Sequence, residues 1–151
     1  MSNTIKEQAI AAYWQQFCDE KAMKDITYKE AFQFGAHPDW LASLVVDGTK
    51  TATCSSYPVY GLTDDPLPQL GEYSIVLNGN DIPVAIIQTY DVKIMPFKDI
   101  PEEFALAEGE GTYQEWKEGH IEFFSNYLVH YKLVFDENML TVCERFHKVY
   151  G

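Results

Sequence analysis

Two apolar runs, Glu72 to Leu77 and Ile82 to Met95, flank Asn78-Gly79-Asn80-Asp81, and this arrangement constrains the fold more than any other stretch. Asn, Gly and Asp accept the positive φ that a tight reversal needs, so the spacing predicts two antiparallel strands joined there. Ile86-Ile87 marks the buried middle of the second arm. Pro83 falls near its start, where a strand tolerates a missing N–H.

The elements around this hairpin follow from periodicity and punctuation. Between Thr4 and Met23, Ile5, Ala9, Tyr13, Trp14 and Phe17 recur every three or four residues, which predicts a packing helix anchored on Trp14. His37-Pro38-Asp39 opens a second helix, with Trp40, Leu41, Leu44 and Val45 as its expected buried face and Gly48 as its left-handed stop. Thr51 to Tyr57 alternates as a strand, with Thr51, Thr53 and Ser55 on one face and Ala52, Cys54 and Ser56 on the other. Pro58 to Leu70 reads as a surface loop. Asp99 to Phe104 fits a short capped helix. Thr112-Tyr-Gln-Glu115 is a capping box, and the helix it opens runs to about Tyr131 with Trp116, His120, Phe123, Phe124, Tyr127, Leu128 and Tyr131 on one face. Leu140 to Tyr150 closes the chain as a strand. This order predicts class α+β, a small mixed sheet or barrel flanked by helices. At 151 residues the expectation is one domain spanning 1–151, with residues 1–25 as a helical extension packed on it.

Charge narrows the partners. Twenty-three acidic residues against eleven basic ones leave a formal charge of -12, and Arg145 is the single arginine. Long RNA or DNA is disfavoured, because phosphate binding needs a clustered basic surface. A neutral, nucleoside-sized ligand remains open, and the high aromatic share, 15%, supplies rings that could line its site. Cys18, Cys54 and Cys143 have neither CxxC spacing nor histidines at metal-ligand spacing, so neither a disulfide framework nor a metal or other cofactor is expected. The first residues lack a signal-peptide pattern and no run reaches membrane-spanning length, which leads to the expectation of a cytoplasmic protein without a membrane partner.

Asp47-Gly-Thr-Lys-Thr-Ala-Thr-Cys-Ser-Ser56 delivers a long cation, Lys50, to the corner between the second helix and the first strand after it. Lys50 and Thr53 together contain the parts of a hydroxyl nucleophile and its activator. Read locally, each is equally a solvated lysine and a strand threonine. Cys54 alternates to the other strand face and reads as packing.

Several blocks taken in order are similar to bacterial members of the ASCH domain family: Phe32-Gln-Phe-Gly35, Asp47 to Thr53, Leu67 to Leu77, Phe104 to Gly111 with Trp116, and Val142-Cys-Glu-Arg-Phe146. The resemblance implies a β-barrel related to the PUA domains of RNA-modifying enzymes. The family's signature carries Gly, Lys, Glu and Arg at its first, third, sixth and eighth positions. Gly48 and Lys50 match it, while Thr53 stands for the glutamate and Ser55 for the arginine. Small members that remove the acetyl group from N(4)-acetylcytidine share the threonine, and by position their catalytic Lys, Thr and Glu fall on Lys50, Thr53 and Glu110. Those members keep the arginine and lack the N-terminal helix.

The resemblance thus implies a metal-independent amidohydrolase of an acylated cytosine nucleoside. The alternatives are a non-catalytic RNA- or nucleotide-binding module and a ribonuclease. In the hydrolase, Thr53 attacks with Lys50 as base if burial lowers the lysine's pKa; otherwise Lys50 stays charged as an oxyanion donor and Glu110 activates water. Phe34, Gly35, Ser55, Trp116, His120 and Arg145 complete the candidate substrate-binding set. Trp116, His120 and Phe34 could stack on a base, and Arg145 could grip a ligand oxygen or pair with a carboxylate.

Overall fold

The computed structural model describes residues 4–151. Five strands form one mixed sheet in the order β1-β3-β4-β5-β2, with helices between them, so the class is α+β. The chain clusters into two compact units, the first formed by Met1–Gly48, Gly71–Gln88 and His147–Gly151, the second by Thr49–Leu70 and Thr89–Phe146.

In the first unit, α1 (Ile5–Glu20) begins at Thr4, whose hydroxyl accepts the Glu7 N–H at 3.1 Å. Its Ile10, Trp14, Phe17 and Cys18 pack against Ile75 and Leu77 of β3 (Tyr73–Leu77) and Ile86 of β4 (Pro83–Pro96). Trp14 is the expected anchor: its ring meets Tyr28 and Tyr73 edge-on, with centroids 5.3 and 5.6 Å away. The ring-rich stretch before Gly35 contains a strand, β1 (Glu30–Gln33), that pairs parallel with β3. In α2 (Pro38–Val46) the buried stripe is Leu41, Ala42 and Val45, whereas Trp40 is 46% exposed. With so few turns the helix buries only a narrow stripe, and Trp40 lies outside it.

β3 and β4 pair antiparallel as the hairpin pattern requires. Its turn is braced by the Asn78 side chain, whose Oδ1 accepts from the N–H groups of Asn80 and Ile82 at 2.8 and 3.1 Å. The positive φ falls on Asp81. Gly79 answers a different need, since a Cβ there would come within 2.9 Å of the Asp39 carboxylate, which accepts the Gly79 N–H.

In the second unit, β2 (Ala52–Ser56) pairs antiparallel with β5 (Leu140–Tyr150) over Ala52–Arg145 to Ser56–Thr141. The stretch expected to be loop opens with a helix, α3 (Tyr57–Thr63), because Pro58 sits in its first turn, where proline fits. A 3₁₀ turn, Phe97–Asp99, precedes α4 (Glu102–Ala107), whose N-cap is Pro101 rather than Asp99. α5 (Tyr113–Val129) starts at the capping box: Glu115 N–H donates to Thr112 Oγ1 at 3.1 Å and Thr112 N–H to Glu115 Oε1 at 3.0 Å. The core joins Ala52, Cys54 and Cys143 from the strands to Phe97, Ile100, Phe104, Ala105, Trp116 and Phe124. Among the described residues no helix is long and apolar enough to cross a membrane. Thr112→Ala removes one half of the capping box and should lower stability by about 1 kcal/mol, read as a fall in the urea midpoint.

Candidate functional site

The second unit holds a buried charge cluster that begins with the backbone. α4 ends at Glu108, and Gly109 turns the chain with φ 75°. A Cβ on Gly109 would lie 2.8 Å from the Thr49 carbonyl oxygen, so only glycine permits this approach. Beside it the Thr51 N–H donates to the Ala107 carbonyl at 2.8 Å, and the Phe146 N–H donates to the Thr51 carbonyl at 3.0 Å. The segment carrying Lys50 is thereby clamped between the end of α4 and β5. A second left-handed glycine, Gly111, leads into the capping box. Glu108 and Glu110 thus bracket one tight turn, and Trp116 and His120 follow one helical turn apart on α5.

These elements converge on Lys50, whose side chain is 1% exposed. Its Nζ donates to the Ala52 carbonyl at 2.9 Å, to Glu108 Oε1 at 3.1 Å and to Glu110 Oε2 at 3.1 Å. The far side of Glu108 is equally committed: Oε2 accepts the Trp116 indole N–H at 2.8 Å and lies 3.4 Å from His120 Nε2. His120 stacks on Trp116, and its Nδ1 is 2.9 Å from the Trp116 carbonyl oxygen. Glu108 is buried, while the Glu110 side chain is 18% exposed.

Burial opposes every charge here, and specific partners decide each outcome. Desolvation pulls Lys50 down, but Glu108 and Glu110 outweigh it and raise the lysine above its ordinary value. Lys50 is therefore an ammonium and a donor, which removes it from the role of base. Desolvation pushes Glu108 up, yet Lys50, His120 and the Trp116 N–H hold it at about 2. Glu110 is raised, chiefly by burial, with the adjacent Glu108 adding to it against the pull of Lys50. His120 is raised, because contact with Glu108 and the charge of Glu110 overcome its desolvation.

The structure brings Lys50, Glu110, Trp116 and His120 together, and adds Glu108 and Cys54, which the sequence reading left out. Thr53 lies on the alternate, half-buried side of β2. Ser55 shares that side and is hydrogen-bonded to the Tyr60 hydroxyl at 2.8 Å. Arg145 is engaged by Glu103 in a two-pronged pair, both contacts 2.8 Å, and lies over the Phe104 ring. Phe34 and Gly35 belong to the first unit, where Phe34 is buried against Phe32. Glu108 had a legible signal: it is a second acid in the same glycine turn, and Trp116 and His120 are one helical turn apart. That both reach a single carboxylate is a tertiary fact.

The ASCH domain family model matches residues 30–150. The chain belongs to the ASCH domain family. Among solved structures it is similar to protein EF3133 from Enterococcus faecalis V583, at 39% identity over 95% of this chain and 89% of that one, with a TM-score of 0.87. It is likewise similar to an ASCH domain from Lactobacillus crispatus JV V101, at 29% identity over 95% of this chain and 96% of that one, with a TM-score of 0.89. The hypothetical protein PH0355, at 12% identity over 82% of this chain and 100% of that one with a TM-score of 0.53, shares the fold alone. No curated protein matches. The α+β, PUA-like fold class is that of these ASCH neighbours.

Two stability measurements follow from the cluster. Lys50→Met leaves two carboxylates facing one another without their cation, and should cost about 3–5 kcal/mol in equilibrium unfolding. Glu108 has a folded pKa below its ordinary one, so its contribution is complete above the ordinary carboxylate range and is lost as pH falls towards about 2. The melting temperature should fall over that window, and less steeply in Glu108→Gln.

Proposed function

We propose that this ASCH domain hydrolyses the acyl group from a small acylated cytosine nucleoside, N(4)-acetylcytidine being the model substrate. RNA binding and hydrolysis are the two activities suggested for ASCH domains, and charge separates them here. With a net charge of -12 and the Lys50 donors already matched by three acceptors, this lysine is poorly suited to gripping phosphates. The observation that carries the hydrolytic reading is the Lys50–Glu110 contact at 3.1 Å, with Glu110 partly exposed and Lys50 fully buried.

In this reading Glu110 is the proton carrier. It takes a proton from water as the water oxygen bonds to the acyl carbon. It then returns that proton to the exocyclic nitrogen as the C–N bond breaks, releasing acetate and cytidine. Lys50 keeps Glu110 in place, and its positive charge favours the negative charge that builds on the acyl oxygen. Thr53 is assigned as a donor to that oxygen from the less buried side of β2.

Incubation with N(4)-acetylcytidine should release acetate. Glu110→Gln should reduce kcat by roughly 100-fold or more, as loss of a proton carrier does, with an unchanged circular dichroism spectrum. Absence of turnover across a panel of acylated nucleosides, or full activity in Glu110→Gln, would overturn the proposal.

A further inference from the structure

Glu108 presents a second face, away from Lys50, that hydrolysis does not use. There Cys54 Sγ, a carboxylate oxygen of Glu108 and a ring nitrogen of His120 all lie within 4.8 Å of one another. Cys54 and Glu108 are buried and His120 nearly so. Two features mark this as more than packing. The His120 Nδ1 lies 2.9 Å from the Trp116 carbonyl, so an Nδ1–H donates there and directs Nε2 at Glu108, 3.4 Å away. That backbone brace on Nδ1 is the one used by metal-binding imidazoles. The Trp116 indole N–H orients Glu108 Oε2 from behind, as an outer partner of a ligating carboxylate does.

We infer that Cys54, Glu108 and His120 form a three-ligand site for a zinc-class divalent ion, with the fourth position left to water or a small ligand. Thiolate, imidazole and carboxylate together suit Zn²⁺ and its spectroscopic substitute Co²⁺, and exclude Mg²⁺ and Ca²⁺, which take oxygen ligands. Binding takes the place of the Cys54 thiol proton and of any proton on His120 Nε2, with no change of oxidation state. The ligands come from β2, the end of α4 and α5, too far apart in sequence to form a motif.

The test uses the full chain stripped with EDTA and titrated with Co²⁺, then Zn²⁺. One Co²⁺ per chain should bind, with a thiolate-to-cobalt charge-transfer band in the near ultraviolet that Zn²⁺ bleaches. The zinc form should melt above the stripped form. Cys54→Ala should abolish the band, Trp116→Phe should weaken binding by ~10-fold or more, and Cys18→Ala and Cys143→Ala should retain the band. Circular dichroism in EDTA checks each variant's fold; should Cys54→Ala be unfolded, Cys54→Ser, which keeps the shape and lacks the thiolate, must lose the band. Absence of saturable one-to-one binding, or a band that survives Cys54→Ala and disappears in Cys143→Ala, would overturn the site. None of these readouts depends on hydrolysis, so metal binding and turnover succeed or fail separately.

Discussion

A lysine ammonium with no access to water is the constraint on which the second unit depends. Burying Lys50 costs several kcal/mol unless its lost hydration is replaced. Here the replacement is complete: two carboxylates and a backbone carbonyl take the place of water at 2.9 to 3.1 Å. The obligation is mutual, because Glu108 is as deeply buried and would be equally costly without Lys50, Trp116 and His120. Among the described residues no buried side-chain polar atom is left without a partner. Removing Lys50 therefore leaves two carboxylates facing one another without their cation.

That electrostatic demand explains the unusual backbone around it. Glu108 and Glu110 reach the same nitrogen because Gly109 reverses the chain in a conformation closed to other residues and lets the Thr49 carbonyl approach. The Thr51–Ala107 hydrogen bond ties the segment carrying Lys50 to the end of α4. On α5, the stack of His120 on Trp116 holds both rings in the orientation that directs their nitrogens at Glu108. Packing and charge are thus satisfied by the same side chains.

The division of protonation states sets what the site can do. Lys50 is committed to its positive charge and Glu108 to its negative one, so neither moves a proton near neutral pH. Glu110 combines contact with Lys50 and partial exposure, and burial raises its pKa. Arg145, the chain's single arginine, is engaged by Glu103, so the cluster's cation is Lys50.

Local rules made much of this legible. The span of α1, the Asn78–Asp81 turn, the Thr112 capping box and the span of β5 depend on neighbours in sequence and form where periodicity or turn chemistry puts them, but the α1 stripe keeps only Trp14 and Phe17 of the expected buried face, with Ile5 and Ala9 exposed and Ile10 and Cys18 buried instead. The family resemblance and the pairing of Lys50 with Glu110 were also readable, because the blocks recur in order. Three features were not. α3 formed in a proline-rich stretch because Pro58 starts its helix, which local composition conceals. Cys54 reads as strand packing until its neighbour across the fold is known. Glu108 reads as an ordinary acid in a glycine turn. The sequence by itself determined most of the elements, the corner that carries Lys50 and the net charge of -12, since these follow from spacing and composition. Tertiary structure alone decided that Lys50 is buried between two carboxylates that raise its pKa and that Cys54, Glu108 and His120 come within 4.8 Å of one another, because a charge state and a set of contacts depend on which groups exclude water together.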